Sequence, residues 1–176
     1  MLDVQYHVIV ARKGKVIDLF IDFMPIDFHH LMGLGKLKDL RVATQNREQV
    51  FQKILIDSIT EETIKKSRYY SLIQNRFEPL AEIENILDDN RLVFHYNPNI
   101  NYFSRIQADF LLSTEYNGND VYVFISEKQE NHYFCRSFFP KETTDYTNQQ
   151  PVCHLIFKEK IYKNSGKHII LFDEKQ

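Results

Sequence analysis

Two adjacent histidines, His29 and His30, stand in the stretch DFHHLMGLGKLKD, Asp27 to Asp39, closely followed by Gly33, Gly35 and Lys36. Histidine is the side chain that titrates near neutrality, while a lysine stays cationic. Further along, CRSFFP supplies Arg136 and Ser137, and a polar loop from Pro140 to Pro151 carries Tyr146 and Gln150. The following VCHLIFKEKIYK adds His154, Lys158 and Lys160. Histidine, lysine or arginine and a hydroxyl, without a metal, suit phosphodiester transesterification in RNA. A neutral imidazole takes the 2′-hydroxyl proton, a second group protonates the leaving 5′-oxygen, and cations hold the charge on the phosphorane oxygens. Many tyrosines and phenylalanines are available to stack unpaired bases. The same ingredients also suit passive binding of RNA or protein.

A histidine near a helix start is ordinarily a capping or surface residue, and a strand face with two lysines is ordinarily solvated. What sets Asp27–Asp39 apart is density. Asp27 reads as a helix N-cap after Pro25. On a continuing helix His29, Gly33 and Lys36 would share one face. Each interior glycine costs about 1 kcal/mol relative to alanine. Gly33 and Gly35 therefore imply a helix break or the close approach of a backbone or ligand. No HExxH occurs, Cys135 and Cys153 form no metal-spaced pair, and Walker, GxGxxG and GxSxG motifs are absent. No metal or other cofactor is expected.

The elements that must position these residues read as α+β within a single domain, 1–176. Tyr6–Ala11 and Val16–Phe23 form an N-terminal hairpin around Arg12-Lys13-Gly14-Lys15. Helices follow over Gln45–Ser58, from Thr60 to about Ser67, and over Phe77–Leu87. From Arg91 onward the chain reads as strands: Leu92–Tyr96, Phe103–Ala108, Phe110–Tyr116, Val121–Ser126, Tyr133–Phe139, Val152–Tyr162 and His168–Phe172. These make a C-terminal antiparallel sheet of four or more strands. Strict alternation puts His154, Ile156, Lys158 and Lys160 on one side of their strand, and Cys153, Leu155, Phe157 and Ile161 on the other. The 176 residues are 43% hydrophobic, which places the chain among folded proteins. Net charge is −2, so an anionic ligand would have to meet a local patch. Two separated thiols and no leader-like or membrane-length apolar run point to a reduced, cytoplasmic protein with no membrane contact.

FHHLMGLGKLKD, then ADFLLS, VYVFIS, CRSFFP, a Tyr and a Gln, and a strand ending KEKIY resemble a family of phage nuclease domains. These are grouped with barnase, EndoU, colicin E5/D and RelE, and the likeness is to the fourth such phage group. It runs from about Asp18 to Tyr162 on short motifs. It implies helices followed by an antiparallel sheet with a metal-independent RNase site on the sheet face toward the helices. The HHLxGL histidine maps to His30, with His29 beside it; the SFF polar residue maps to Ser137; the loop Tyr and Gln map to Tyr146 and Gln150; Lys158 lies on the next strand. The expected roles follow. His30 is general base or acid with His29 its partner. Lys158, Lys36 and Arg136 stabilise charge, and Ser137 and Tyr146 orient the phosphate. Gln150, Lys160 and His154 contact RNA. The expected partner is RNA, either tRNA or a guide RNA, in toxin or anti-CRISPR counter-defence. The alternative is a non-catalytic inhibitor that binds Cas9 or another host ribonucleoprotein.

Overall fold

The computed structural model describes residues 2–175. The hairpin strands β1 (Val4–Arg12) and β2 (Lys15–Asp22) pair in antiparallel register, Val8 opposite Leu19. The later strands are β3 (Leu92–His95), β4 (Phe110–Tyr116), β5 (Asn119–Gln129), β6 (His132–Pro140), β7 (Val152–Tyr162) and β8 (Lys167–Asp173). They run in the order β1-β2-β6-β5-β4-β3-β7-β8, and β1 also pairs with β7. Seven strands thus close into a barrel, with β8 attached to β7 alone. Closure corrects the expected separation of hairpin and sheet. The hairpin is a wall of the barrel, and β2 runs parallel to β6, with Ile21 opposite Tyr133. A closed sheet leaves few unpaired edges.

Between β2 and β3 lie five short helices: α1 (Phe28–Leu31), α2 (Arg47–Leu55), α3 (Glu61–Lys65), α4 (Phe77–Ala81) and α5 (Ile83–Asp89). The expected helix over Phe77–Leu87 is broken at Glu82, and Phe103–Ala108 is irregular chain, not a strand. Asn46 and Thr60 cap α2 and α3 by accepting from the N–H groups of Gln49 and Thr63. One apolar cluster holds inward residues of all seven barrel strands, such as Val8, Leu19, Cys135, Val123, Leu112, Val93 and Leu155. The same cluster contains Leu31, Leu34, Ile73, Leu80, Ile83 and Leu87, so the helical middle packs onto the barrel's inner face. A second cluster of Phe94, Tyr96, Leu111, Tyr122 and Phe124 lies on the outer face of β3–β5, under Ile106, Phe139 and Tyr146. Burial on both faces explains the near-continuous apolar runs FLLS and VYVFI. Among the described residues no helix is long and apolar enough to cross a membrane.

Two β-bulges decide where the charged strand residues point. On β7, Ile9 faces Phe157 while Val10 faces Leu155, so Ile156 is the extra residue. Cys153 and Leu155 point inward before it, and Lys158 and Lys160 point inward after it. Strict alternation therefore fails at Ile156, and the two lysines lie in the core instead of beside His154. On β6, Phe124 faces Ser137 while Ile125 faces Cys135, so Arg136 is the extra residue.

Candidate active site

The expected helix over Asp27–Asp39 stops after one turn. Gly33 adopts φ +72°, and a 3-10 turn, Leu34–Lys36, follows. A left-handed residue that ends a helix is ordinarily glycine. Close packing is a second reason at this position. A Cβ on Gly33 would lie 3.1 Å from the Arg76 guanidinium carbon and 3.1 Å from Ile73 Cγ2. Of the alternatives posed by the sequence the helix break holds, and what approaches Gly33 closely is a pair of side chains, not a backbone or a ligand. The break turns the chain so that His30, Gly33 and Lys36 line one depression with Arg47, Arg76 and the bulge residues Arg136 and Ser137.

The two histidines differ. His29 is buried, and its Nε2 lies 3.0 Å from the Val42 carbonyl. A carbonyl only accepts, so the His29 proton sits on Nε2. This bond ties α1 to the 3-10 turn Arg41–Ala43. His30 is half-buried and has no hydrogen-bond partner among the described residues; its ring meets that of His29 edge-on at 6.2 Å. Burial first, then Arg47, His29 and Arg136, push its pKa down to about 4. His30 is therefore a neutral imidazole at pH 7, the form in which a general base acts.

Arg76 is the residue that the sequence concealed. It sits in the 3-10 turn Gln74–Arg76 between ordinary neighbours, and its type and spacing there carry no signal. Only 5% of it is exposed. Its Nη1 donates to the Leu31 carbonyl at 3.3 Å, its Nε has no partner among the described residues, and its guanidinium lies 5.4 Å over the Phe139 ring. Burial lowers its pKa to about 10, which leaves it charged at neutrality. No carboxylate forms an ion pair with it among the described residues. Burying a cation costs several kcal/mol unless negative charge lies close by, and Glu142 offsets that cost only in part, from beyond ion-pair distance.

Lys36, Arg76 and Ser137 also line an adjoining depression with Phe103, Arg105, Phe139, Glu142 and Tyr146. The two form one groove, lined by Lys36, Arg47, Arg76, Arg105 and Arg136 but by a single carboxylate, Glu142. In a chain of net charge −2 this is a local anion-attracting patch. Lys36 donates from Nζ to the Leu72 carbonyl at 3.3 Å, and partial desolvation of its ammonium and the nearby Arg76 lower its pKa. The loop after β6 is tied down. Lys141 pairs with Asp120 at 2.9 Å and Asp145 at 2.8 Å, and Thr147 donates to Asp145. Tyr146 is held by the Phe124 and Phe139 rings, both at 5.4 Å.

Of the residues singled out from the sequence, His29, His30, Lys36, Arg136, Ser137 and Tyr146 are brought to this groove. Lys158, Lys160, Gln150 and His154 are not. Lys158 is 1% exposed and donates to the carbonyls of Leu87 and Asn90, at and just beyond the end of α5. Lys160 pairs with Glu84 at 3.1 Å and Asp88 at 3.0 Å. Gln150 is buried, accepting from the Asn97 N–H at 2.7 Å and donating to the Asn97 carbonyl at 3.1 Å. His154 is exposed and pairs with Glu174 at 2.7 Å. Sequence reasoning did not single out Arg47, Arg76, Arg105, Phe103 or Glu142. Among the described residues no three His, Cys, Asp or Glu side chains gather as a metal centre requires.

Comparison with curated proteins and with solved structures finds no match. One family model does match, over residues 1–175, nearly the whole chain and every residue of the groove. The chain thus belongs to the phage-Barnase-EndoU-ColicinE5/D-RelE like nuclease 4 family.

Proposed function

We propose that this groove cleaves RNA by 2′-hydroxyl transesterification without a metal ion. The observation that carries the reading is a neutral imidazole whose ring makes no hydrogen bond among the described residues, set in a depression lined by four cations and no carboxylate. The phosphodiester would lie in the first depression, against Arg76 and Arg136. His30 takes the 2′-hydroxyl proton, and the 2′-oxygen bonds to phosphorus. The P–O5′ bond breaks, and the departing oxygen receives a proton from Lys36. Lys36 suits that role because it is a cationic acid whose pKa is displaced toward neutrality. The products are a 2′,3′-cyclic phosphate and a 5′-hydroxyl. Guanidinium groups supply the charge that a divalent ion supplies elsewhere, and the first depression has no carboxylate to hold such an ion. His29 is a positioning residue, fixing α1 through Val42.

The test incubates purified protein in EDTA with total RNA, tRNA and a CRISPR guide RNA, the last two chosen for the toxin and counter-defence roles. Wild type should give discrete fragments ending in 2′,3′-cyclic phosphate. His30→Ala should lose at least about 100-fold, the usual span of general-base catalysis. With His30 as base, kcat/KM should hold steady from pH 7 to pH 5 and fall only as pH approaches about 4. A loss centred near pH 6.5 would sink that assignment. Intact RNA that still binds tightly would favour the binding-module alternative.

A further inference from the structure

The groove's two depressions differ in chemistry. The first is lined by two histidines, Lys36, Arg47, Arg76 and Arg136, and by no carboxylate. The second shares Lys36 and Arg76 and has Arg105, but adds three aromatic rings and Glu142. Phe103 is 57% exposed and meets Tyr146 edge-on at 6.2 Å; Tyr102 beside it is 89% exposed. Water gains nothing from a phenyl ring held in this position. A planar ligand would cover it. Glu142 Oε1 accepts from Asn75 Nδ2 at 2.8 Å, and its other oxygen has no partner among the described residues. A carboxylate repels a phosphate but accepts hydrogen bonds from N–H groups. The depression is about 340 Å³, the low end of small-ligand pockets, roughly 300–1,000 Å³.

From this contrast we infer that the second depression is a nucleobase subsite. One unpaired base next to the scissile phosphodiester stacks on Phe103, which the Tyr146 ring meets edge-on, and donates a hydrogen bond from an N–H to Glu142. The inference rests on the phosphodiester reading of the first depression. Lys36, Arg76 and Ser137 form the wall common to both depressions, so phosphate and base would belong to one nucleotide step. The Lys141–Asp145 tie and the rings beneath Tyr146 shape the platform before any ligand arrives. A base inside a duplex stack presents no free face, so the substrate is single-stranded or looped at this step.

The experiment uses an oligoribonucleotide made uncleavable by 2′-O-methyl groups, with 2-aminopurine placed at successive positions. Stacking on an aromatic ring quenches 2-aminopurine fluorescence. Wild type should quench at one position. Phe103→Ala should abolish that quench and weaken binding about tenfold, within the range measured for base–aromatic stacking. Phe103→Trp should restore both. Uniform quenching along the strand, or an unchanged quench in Phe103→Ala, would overturn the subsite while leaving the phosphodiester reading intact. No binding to wild type at all would remove the phosphodiester reading and the subsite with it.

Discussion

Arg76 and Lys160 are each 5% exposed, and Lys158 is 1% exposed, yet these buried cations live in opposite surroundings. Lys160 has two carboxylates, and one of them, Asp88, also accepts from Tyr6 at 2.6 Å. Lys158 donates to the carbonyls of Leu87 and Asn90 where α5 ends. Arg76 has one long hydrogen bond, a ring face and an orphaned Nε. The first pair is satisfied from within the chain and joins barrel to helix. Arg76 is left incomplete, as a group reserved for a ligand would be. Burial alone therefore does not separate a structural cation from a functional one. What separates them is whether the protein itself supplies the partner.

The strongest test of this contrast is Arg76→Met. It should cut RNA cleavage by at least about 100-fold, the usual cost of deleting one charge-stabilising donor. It should leave the melting temperature unchanged or raised, because a buried charge that forms no close ion pair disappears. A marked drop in melting temperature would show that Arg76 is a structural cation after all. Next is Lys160→Met, which removes the Lys160 ammonium from Asp88 and Glu84. Both acids are partly solvated, so the expected loss is about 2 kcal/mol in urea unfolding, below the 3–5 typical of a fully buried pair. The folded fraction should still cleave.

Gly33→Ala should cost about 1–2 kcal/mol for a side chain at positive φ. It should also reduce activity, because the new methyl presses on Arg76. Full activity in that variant would detach Arg76 from the site. A pH-dependent effect concerns Lys158. Burial lowers its pKa to about 7, whereas the unfolded lysine keeps its proton until about pH 10. Between those values the unfolded state binds more protons, so wild-type stability should rise from pH 7 to pH 9. Lys158→Met should flatten that rise.

Much of this molecule is legible in its sequence. Alternation in YHVIVA and VIDLFIDF marks β1 and β2, and the density of HHLMGLGK marks the site. Barrel closure is not legible, because nothing local in β1 specifies that Val4 will face Tyr162. The bulges are equally silent. One extra residue at Ile156 moves Lys158 and Lys160 from an apparent surface to the core, and one at Arg136 lies where Arg136 and Ser137 enter the groove. Arg76 and Phe103 are common residue types in unremarkable contexts, and only the tertiary structure gives them meaning.

Closure of β1 against β7 also sets a timetable. Val4 and Tyr162 lie at distant points of the chain, and so do Ile21 and Tyr133 on the parallel pair. Pairings of such long sequence separation form slowly. A ribosome must deliver β7 before β1 has its second neighbour, so the first strand waits half-paired through most of synthesis. The helices that carry His30 and Arg76 have no completed barrel to rest on until then. A groove built this way takes its final shape only once β7 has emerged to pair with β1.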